Sequence, residues 1–309
     1  MRALVTGGAG FIGSNLVDAL LERGDEVCVL DDITTGRREN LTGALARGAE
    51  LVEASVADAP TVLALLERVR PEAVFHLAAQ IDVRRSMEDP AFDAGVNVVG
   101  TINMLEAAAH TGVRRFVLSS TGGAIYGEGR VMPASEDHPI APESAYGQSK
   151  FCAEGYCGLY QRMHGLGAIP LRYSNVYGPR QDPLGEAGVC AIFCARALAG
   201  EPATVFGDGL QTRDFVYVGD VVAANLAAVE SSAGEPVNIG CGVQTSVLDL
   251  AEELGRLTGR PFVPEHAPAR AGEVRHIALD ATRAGELLGW KSQVALSEGL
   301  KRTLEWLRG

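Results

Sequence analysis

In the stretch SAYGQSK, Tyr146 and Lys150 stand four residues apart, in a chain with three lysines against 24 arginines. Positions i and i+4 share one face of a helix, so a phenol and an ammonium there can reach one ligand. A free tyrosine has its pKa near 10 and is a poor base at neutral pH. A neighbouring ammonium and a positively charged ring bound beside it would favour the phenolate and bring the phenol toward working pH. On spacing alone the pair also fits an ordinary amphipathic helix with a surface lysine. A ligand carrying such a ring has to be argued from elsewhere in the chain.

In TGGAGFIG, Gly7, Gly10 and Gly13 directly follow a first apolar run and open a first helix. Three glycines there allow a tight turn, close approach of the backbone to a pyrophosphate, and close packing of helix on sheet. The helix N-terminus adds N–H donors and positive potential. The second apolar run, EVCVLD, ends at Asp31, where an acid would hold the adenosine ribose hydroxyls. Because that acid repels a 2′-phosphate, NAD is expected rather than NADP, although Arg37 and Arg38 lie near enough to keep the phosphorylated form open.

The elements that must position these residues follow from periodicity. ALVT, EVCVLD, AELVEAS, AVFHLA and RRFVLSS read as buried strands. Helix-like stretches separate them, among them FIGSNLVDALLERG, DAPTVLALLERVR and PAFDAGVNVVGTINMLEAAAHTG. Such alternation predicts an α/β fold with a doubly wound parallel sheet covered on both faces. Gly24 and Gly112 fall where helices should end. Beyond AIPLRYSNV the alternation loosens into a Gly/Pro-rich connection. A helix near 187–199 follows, then a TVFGDG hairpin, then DFVYVGDVVAANLAAVE and PVNIG. Two last helices are expected to start near Asp280 and Ser297, both good N-cap residues. Residues 1–174 plus 214–242 are read as the NAD-binding Rossmann domain. Residues 175–213 plus 243–309 are read as a smaller lobe that closes over the carboxyl ends of the strands.

Composition sets the outer bounds. The 309 residues can bury a large core, and 47% hydrophobic with 21% charged residues describes an ordinary soluble enzyme or binding protein. A net charge of −12 argues against nucleic acid and anionic membrane as partners. No segment approaches the ~20 apolar residues that span a bilayer, and the N-terminus lacks a signal peptide, so the cytoplasm is expected. Six cysteines with no CxxC spacing read as buried, reduced thiols. His76, His110, His138, His164, His266 and His276 show no HxxxH or HExxH spacing, so no metal is expected.

Several motifs occur in order along essentially the whole chain: TGxxGxxG, HLAAQ (76–80), SST (119–121), the Tyr146/Lys150 pair and RYSNVYGPRQDP (172–183). Together they resemble the extended short-chain dehydrogenase/reductase family, and within it the NAD-dependent nucleotide-sugar epimerases of the UDP-glucose 4-epimerase group. The resemblance implies that Lys150 also bonds the nicotinamide ribose, which suits a compact ammonium better than a guanidinium. It implies a catalytic set of Thr121, Tyr146 and Lys150. Cofactor contacts are implied at Gly7, Gly10, Phe11, Ile12, Gly13, Asp31, Asp32, Gly36, Ser55, Val56, Leu77, Ala78, Ala79, Gln80, Ser119, Tyr146, Lys150 and Tyr173. Substrate contacts are implied at Arg84, Thr121, Tyr146, Asn175, Val189, Val205, Phe206, Arg213 and Arg270. At Ser55 the family's common adenine-pocket aspartate is absent. Related dehydratases and decarboxylases carry an acid just beyond the hydroxyl residue, whereas here Gly122, Gly123 and Ala124 follow Thr121. That absence favours plain oxidation and reduction at one carbon.

The implied reaction is C4 epimerisation of a UDP-hexose, UDP-glucose to UDP-galactose, through a 4-keto sugar. A UDP-glucuronate 4-epimerase is the alternative, with Arg84 in DVRRS placed to meet either a C6 carboxylate or the cofactor. A UDP-N-acetylhexosamine epimerase, or a catalytically silent NAD-binding regulator, fits less well. A homodimer through paired helices near 90–110 and 145–164 completes the family expectation.

Overall fold

Short runs such as Ala3–Val5 and Val74–Phe75, buried on both faces, need cover above and below. In the computed structural model, which describes residues 1–128, 131–183, 188–269 and 274–309, they find it in a parallel sheet between two layers of helices. The strands in chain order are β1 (Arg2–Thr6), β2 (Glu26–Asp31), β3 (Glu50–Glu53), β4 (Ala73–His76), β5 (Arg115–Thr121), β6 (Gly167–Tyr173), β7 (Asn175–Tyr177), β8 (Thr204–Phe206), β9 (Thr212–Arg213), β10 (Phe215–Tyr217), β11 (Val237–Ile239), β12 (Thr245–Ser246) and β13 (Glu265–Ala267). The main sheet has seven strands in the order β11-β6-β5-β4-β1-β2-β3. Every pairing in it is parallel. The order reverses between β1 and β4, so a crevice opens there at the carboxyl ends of the strands. The doubly wound sheet expected from the alternation is what forms.

The two faces of the sheet carry separate apolar cores. Leu16, Val17 and Leu20 of the helix Phe11–Glu22 pack with Val5, Val29 and Val117 on one face. On the other, Met104 and Leu105 of the helix Gly100–Thr111 and Ala153 and Cys157 of the helix Ala145–His164 pack with Leu4, Val74 and Phe116. A third core, with Phe193, Val205, Leu250, Leu254 and Leu300 among its members, builds the lobe beyond the sheet. Gly112, at φ +76°, ends the Gly100–Thr111 helix in the left-handed conformation that glycine permits.

Two local expectations fail for physical reasons, and a third, the helix over 90–111, holds with a π-helical turn inside it. TVFGDG makes no hairpin, because β8 pairs in parallel with β13 some sixty residues on. The last helix, Leu296–Arg308, has Ala295 as its N-cap, and the Ser297 hydroxyl accepts from Arg256 Nη2 instead. The 90–111 stretch is divided into Pro90–Ala94, a π-helical turn Gly95–Val99, and Gly100–Thr111. Asp280 does precede a helix, Thr282–Leu288, and its carboxylate accepts from the Thr282 backbone N–H. All six cysteines are free, with Cys28, Cys157, Cys190 and Cys194 buried. Among the described residues no helix is long and apolar enough to cross a membrane.

Candidate active site

The crevice is a cleft of about 1120 Å³, and every residue named above as an implied cofactor contact lines it. Its walls begin at the glycine turn. Gly7 sits at φ +68°, and a Cβ there would lie 2.7 Å from the Ala78 backbone nitrogen. A Cβ on Gly13 would lie 2.2 Å from the Gly7 carbonyl oxygen. Both glycines are therefore demanded by packing within the protein. Gly10 is the N-cap of the helix Phe11–Glu22 and offers no side chain to its first turn. The leading N–H groups of that helix are left for an anion.

At the far end of β2, Asp31 is almost fully buried. Its carboxylate accepts from the Ala9 and Ile33 backbone N–H groups, both at 2.9 Å. Burial pushes its carboxyl upward, and these bonds work against that shift. Asp31 thus ties the glycine turn to the end of β2 and still keeps acceptor capacity toward the cleft. Arg37 pairs with Asp182 and Arg38 with Glu53, so each nearby cation already has a carboxylate partner.

Thr121 closes β5, and Tyr146 and Lys150 stand in the first turns of the helix Ala145–His164. Ser144 caps that helix by accepting from the Gly147 N–H, which fixes where Tyr146 starts. Lys150 is buried and donates to the Ser119 carbonyl at 2.9 Å. Burial lowers its ammonium to about 8, against the raising effect of the Asp93 and Glu154 carboxylates. Tyr146 departs from the sequence expectation. Burial, with Asp93 second, drives its phenol well above the usual value instead of toward neutrality. No attraction from the Lys150 ammonium offsets these two effects. The protein alone holds a protonated phenol.

His76 lies beneath this site and plays no acid–base part. Thr101 Oγ1 donates to the Asn97 carbonyl, so it accepts from His76 Nε2. Thr6 Oγ1 accepts from the Ala78 N–H and donates to His76 Nδ1 at 2.8 Å. With both nitrogens satisfied and burial holding its pKa down to about 3, the imidazole is neutral.

The implied substrate residues are more scattered. Asn175 opens β7, and its carboxamide oxygen is buried with no hydrogen-bond partner among the described residues. A Cβ placed on Gly123 would lie 3.8 Å from both that oxygen and Thr121 Oγ1, so the three meet at one point. Val189 begins the helix Val189–Ala199, Val205 and Phe206 lie in β8, and Arg213 ends β9. None of these lines the cleft described above, and Arg270 falls outside the described residues. Arg84 is exposed on the helix Val83–Glu88, and it is the adjacent Arg85 that lines the cleft. Sequence reasoning passed over a buried polar group below the site. Asp93 accepts from Ser149 Oγ (2.5 Å), Gln80 Nε2 (3.0 Å) and Asn97 Nδ2 (3.0 Å). Its one visible signal was an acid four residues before Asn97 in an otherwise apolar helical stretch.

Comparison with known proteins decides the family. The model of the NAD dependent epimerase/dehydratase family matches residues 3–240. The chain belongs to that family. It is 49% identical to the UDP-glucose 4-epimerase of Mycolicibacterium smegmatis, over 100% of this chain and 99% of the relative. The UDP-glucose 4-epimerase of Thermotoga maritima, solved with UDP-glucose, superposes with a TM-score of 0.96 at 48% identity, covering 100% and 99% of the two chains. The Thermus thermophilus UDP-glucose 4-epimerase, solved with NAD, gives 0.93 at 42% identity with the same coverage. As a member of this family the chain uses NAD, and the cleft fits it. Phosphate-ready N–H groups stand at one end, a buried acid at the ribose position, and Lys150 near Ser119 at the other.

Proposed function

We propose that this protein is a UDP-glucose 4-epimerase that interconverts UDP-glucose and UDP-galactose. The observation that carries the reading is full-length similarity, at 42–49% identity, to proteins of that name, joined to one cleft in which Thr121, Tyr146 and Lys150 converge. NAD, when bound, would supply the acceptor and donor for the C4 hydride. Tyr146 takes the 4-hydroxyl proton and gives it back, Thr121 orients that hydroxyl, and Lys150 bonds the nicotinamide ribose and holds positive charge beside the phenol. Between the two transfers the 4-keto sugar turns over while its nucleotide stays gripped. Asn175, Arg213 and Arg270 suit the diphosphate and uracil, with Val189, Val205 and Phe206 as apolar walls.

Bare glycines after Thr121 support simple epimerisation. A Cβ on Gly122 would strike Leu279 Cδ1 at 2.5 Å, so no acid fits at that position without displacing the leucine. A homodimer agrees with the exposed apolar side chains Met87, Phe92, Val99 and Phe151 on helices flanking the site. Unpaired thiols suit a reducing compartment such as the cytoplasm. Assaying UDP-glucose, UDP-glucuronate and UDP-N-acetylglucosamine side by side tests the reading. UDP-glucose is expected to give the highest kcat/KM, and a clear preference for the uronate would overturn it.

A further inference from the structure

Asp93 is fully buried on the helix Pro90–Ala94, and the proposed chemistry gives it no role. Three neutral donors, Ser149 Oγ, Gln80 Nε2 and Asn97 Nδ2, converge on its two oxygens. No ion pair joins it among the described residues. Gln80 and Asn97 are themselves cross-bonded through backbone and side chain, and the π-helical turn Gly95–Val99 turns Asn97 onto the same oxygen of Asp93. Helical irregularity of this kind recurs at functional sites. The network spans three elements: the segment after β4, the 90–99 turn and the catalytic helix.

An ammonium as deeply buried as Lys150 needs a compensating charge, because removing a charge from water without one is costly. The other nearby anion, Glu154, is already engaged. It forms a buried pair with Arg172 at 2.7 Å and also accepts from Ser120. Asp93 is the carboxylate left over, bonded to Ser149, the residue that precedes Lys150 on the catalytic helix. The remaining groups around it do not compete. His76 is neutral, the Arg85 guanidinium lies over the Phe92 ring at 4.1 Å, and Cys157 is a buried thiol. Asp82 and Asp89 cap the helices Val83–Glu88 and Pro90–Ala94. We infer that Asp93 is a positioning residue, the buried counter-charge that holds Lys150 as an ammonium at the floor of the cleft. The inference rests on the redox epimerase reading above.

The charge of Asp93 raises the titrations of both Lys150 and Tyr146, so its removal lowers both. The acid limb of the rate profile reports the phenol and the basic limb the ammonium. The pH dependence of kcat is measured on NAD-loaded wild type, Asp93→Asn, Asp93→Ser and Asp93→Glu with UDP-glucose. In the two neutral variants both limbs are expected to move to lower pH by about one unit. Loss is then greatest on the alkaline side, and Asp93→Glu keeps limbs close to wild type. A uniform fall in kcat with unmoved limbs would show a packing role and overturn the inference. So would failure of all three variants to fold, the charge-retaining one included. A wild-type protein with no epimerase activity overturns the underlying reading instead, which separates the two failures.

Discussion

Tyr146→Phe removes one oxygen and leaves the ring in place, so it isolates the proton acceptor from the shape of the site. We expect turnover to fall by about 10²-fold or more with nucleotide-sugar affinity held within several-fold, read from steady-state kinetics and a binding titration. Retention of more than about a tenth of wild-type turnover would assign the proton to another group. Tyr146, Lys150 and Asp31 were legible as residues because their chemistry depends on local spacing and on a motif that opens a helix. Asp93 was not, since its meaning depends on Ser149 and Gln80, which are distant in sequence and adjacent only in the fold. Arg84 and its neighbour Arg85 are a case that spacing alone does not resolve. Both arginines of the pair are exposed, and only Arg85 lines the cleft. The direction of the Tyr146 titration was also hidden, because it follows first from burial, which no sequence displays.

Strand–turn–helix units were the most readable elements. Their apolar runs and glycines act locally, whereas the pairing of β8 with β13 joins segments that carry no mutual signal. Glycine positions in these units differ in what they tolerate, and the difference gives a test. Gly13→Ala would place a methyl 2.2 Å from the Gly7 carbonyl, so the first helix must shift away from the turn. Overpacking of this kind costs about 1–3 kcal/mol, and here the shift also moves the N–H groups that face the phosphates. We expect a lower melting temperature together with loss of bound NAD. Gly123→Ala meets no atom closer than 3.8 Å and should leave the melting temperature unchanged. Equal destabilisation by the two substitutions would contradict this account of the turn.

At the scale of the whole molecule, the segment 178–182 contacts the first helix and lines the cleft. Arg180 bonds Asp18 at 2.5 Å, Asn15 Nδ2 donates to the Pro179 carbonyl at 3.2 Å, and Arg37 pairs with Asp182. Arg180 holds φ +72°, an uncommon conformation for a residue with a Cβ, so the surrounding contacts must fix it. Surface ion pairs are individually weak, but three contacts hold this short segment, whose Arg180, Gln181 and Asp182 line the cleft. The proposed reaction returns its cofactor to the oxidised form in every cycle, so nothing requires the nucleotide to leave. Regeneration in a cleft of this size predicts that the protein purifies with stoichiometric NAD in place. Denaturing the purified protein and identifying the released nucleotide checks this. NADP in the supernatant would contradict the reading of Asp31, and strict dependence of turnover on stoichiometric added NADH would contradict a cycle that restores its own oxidant.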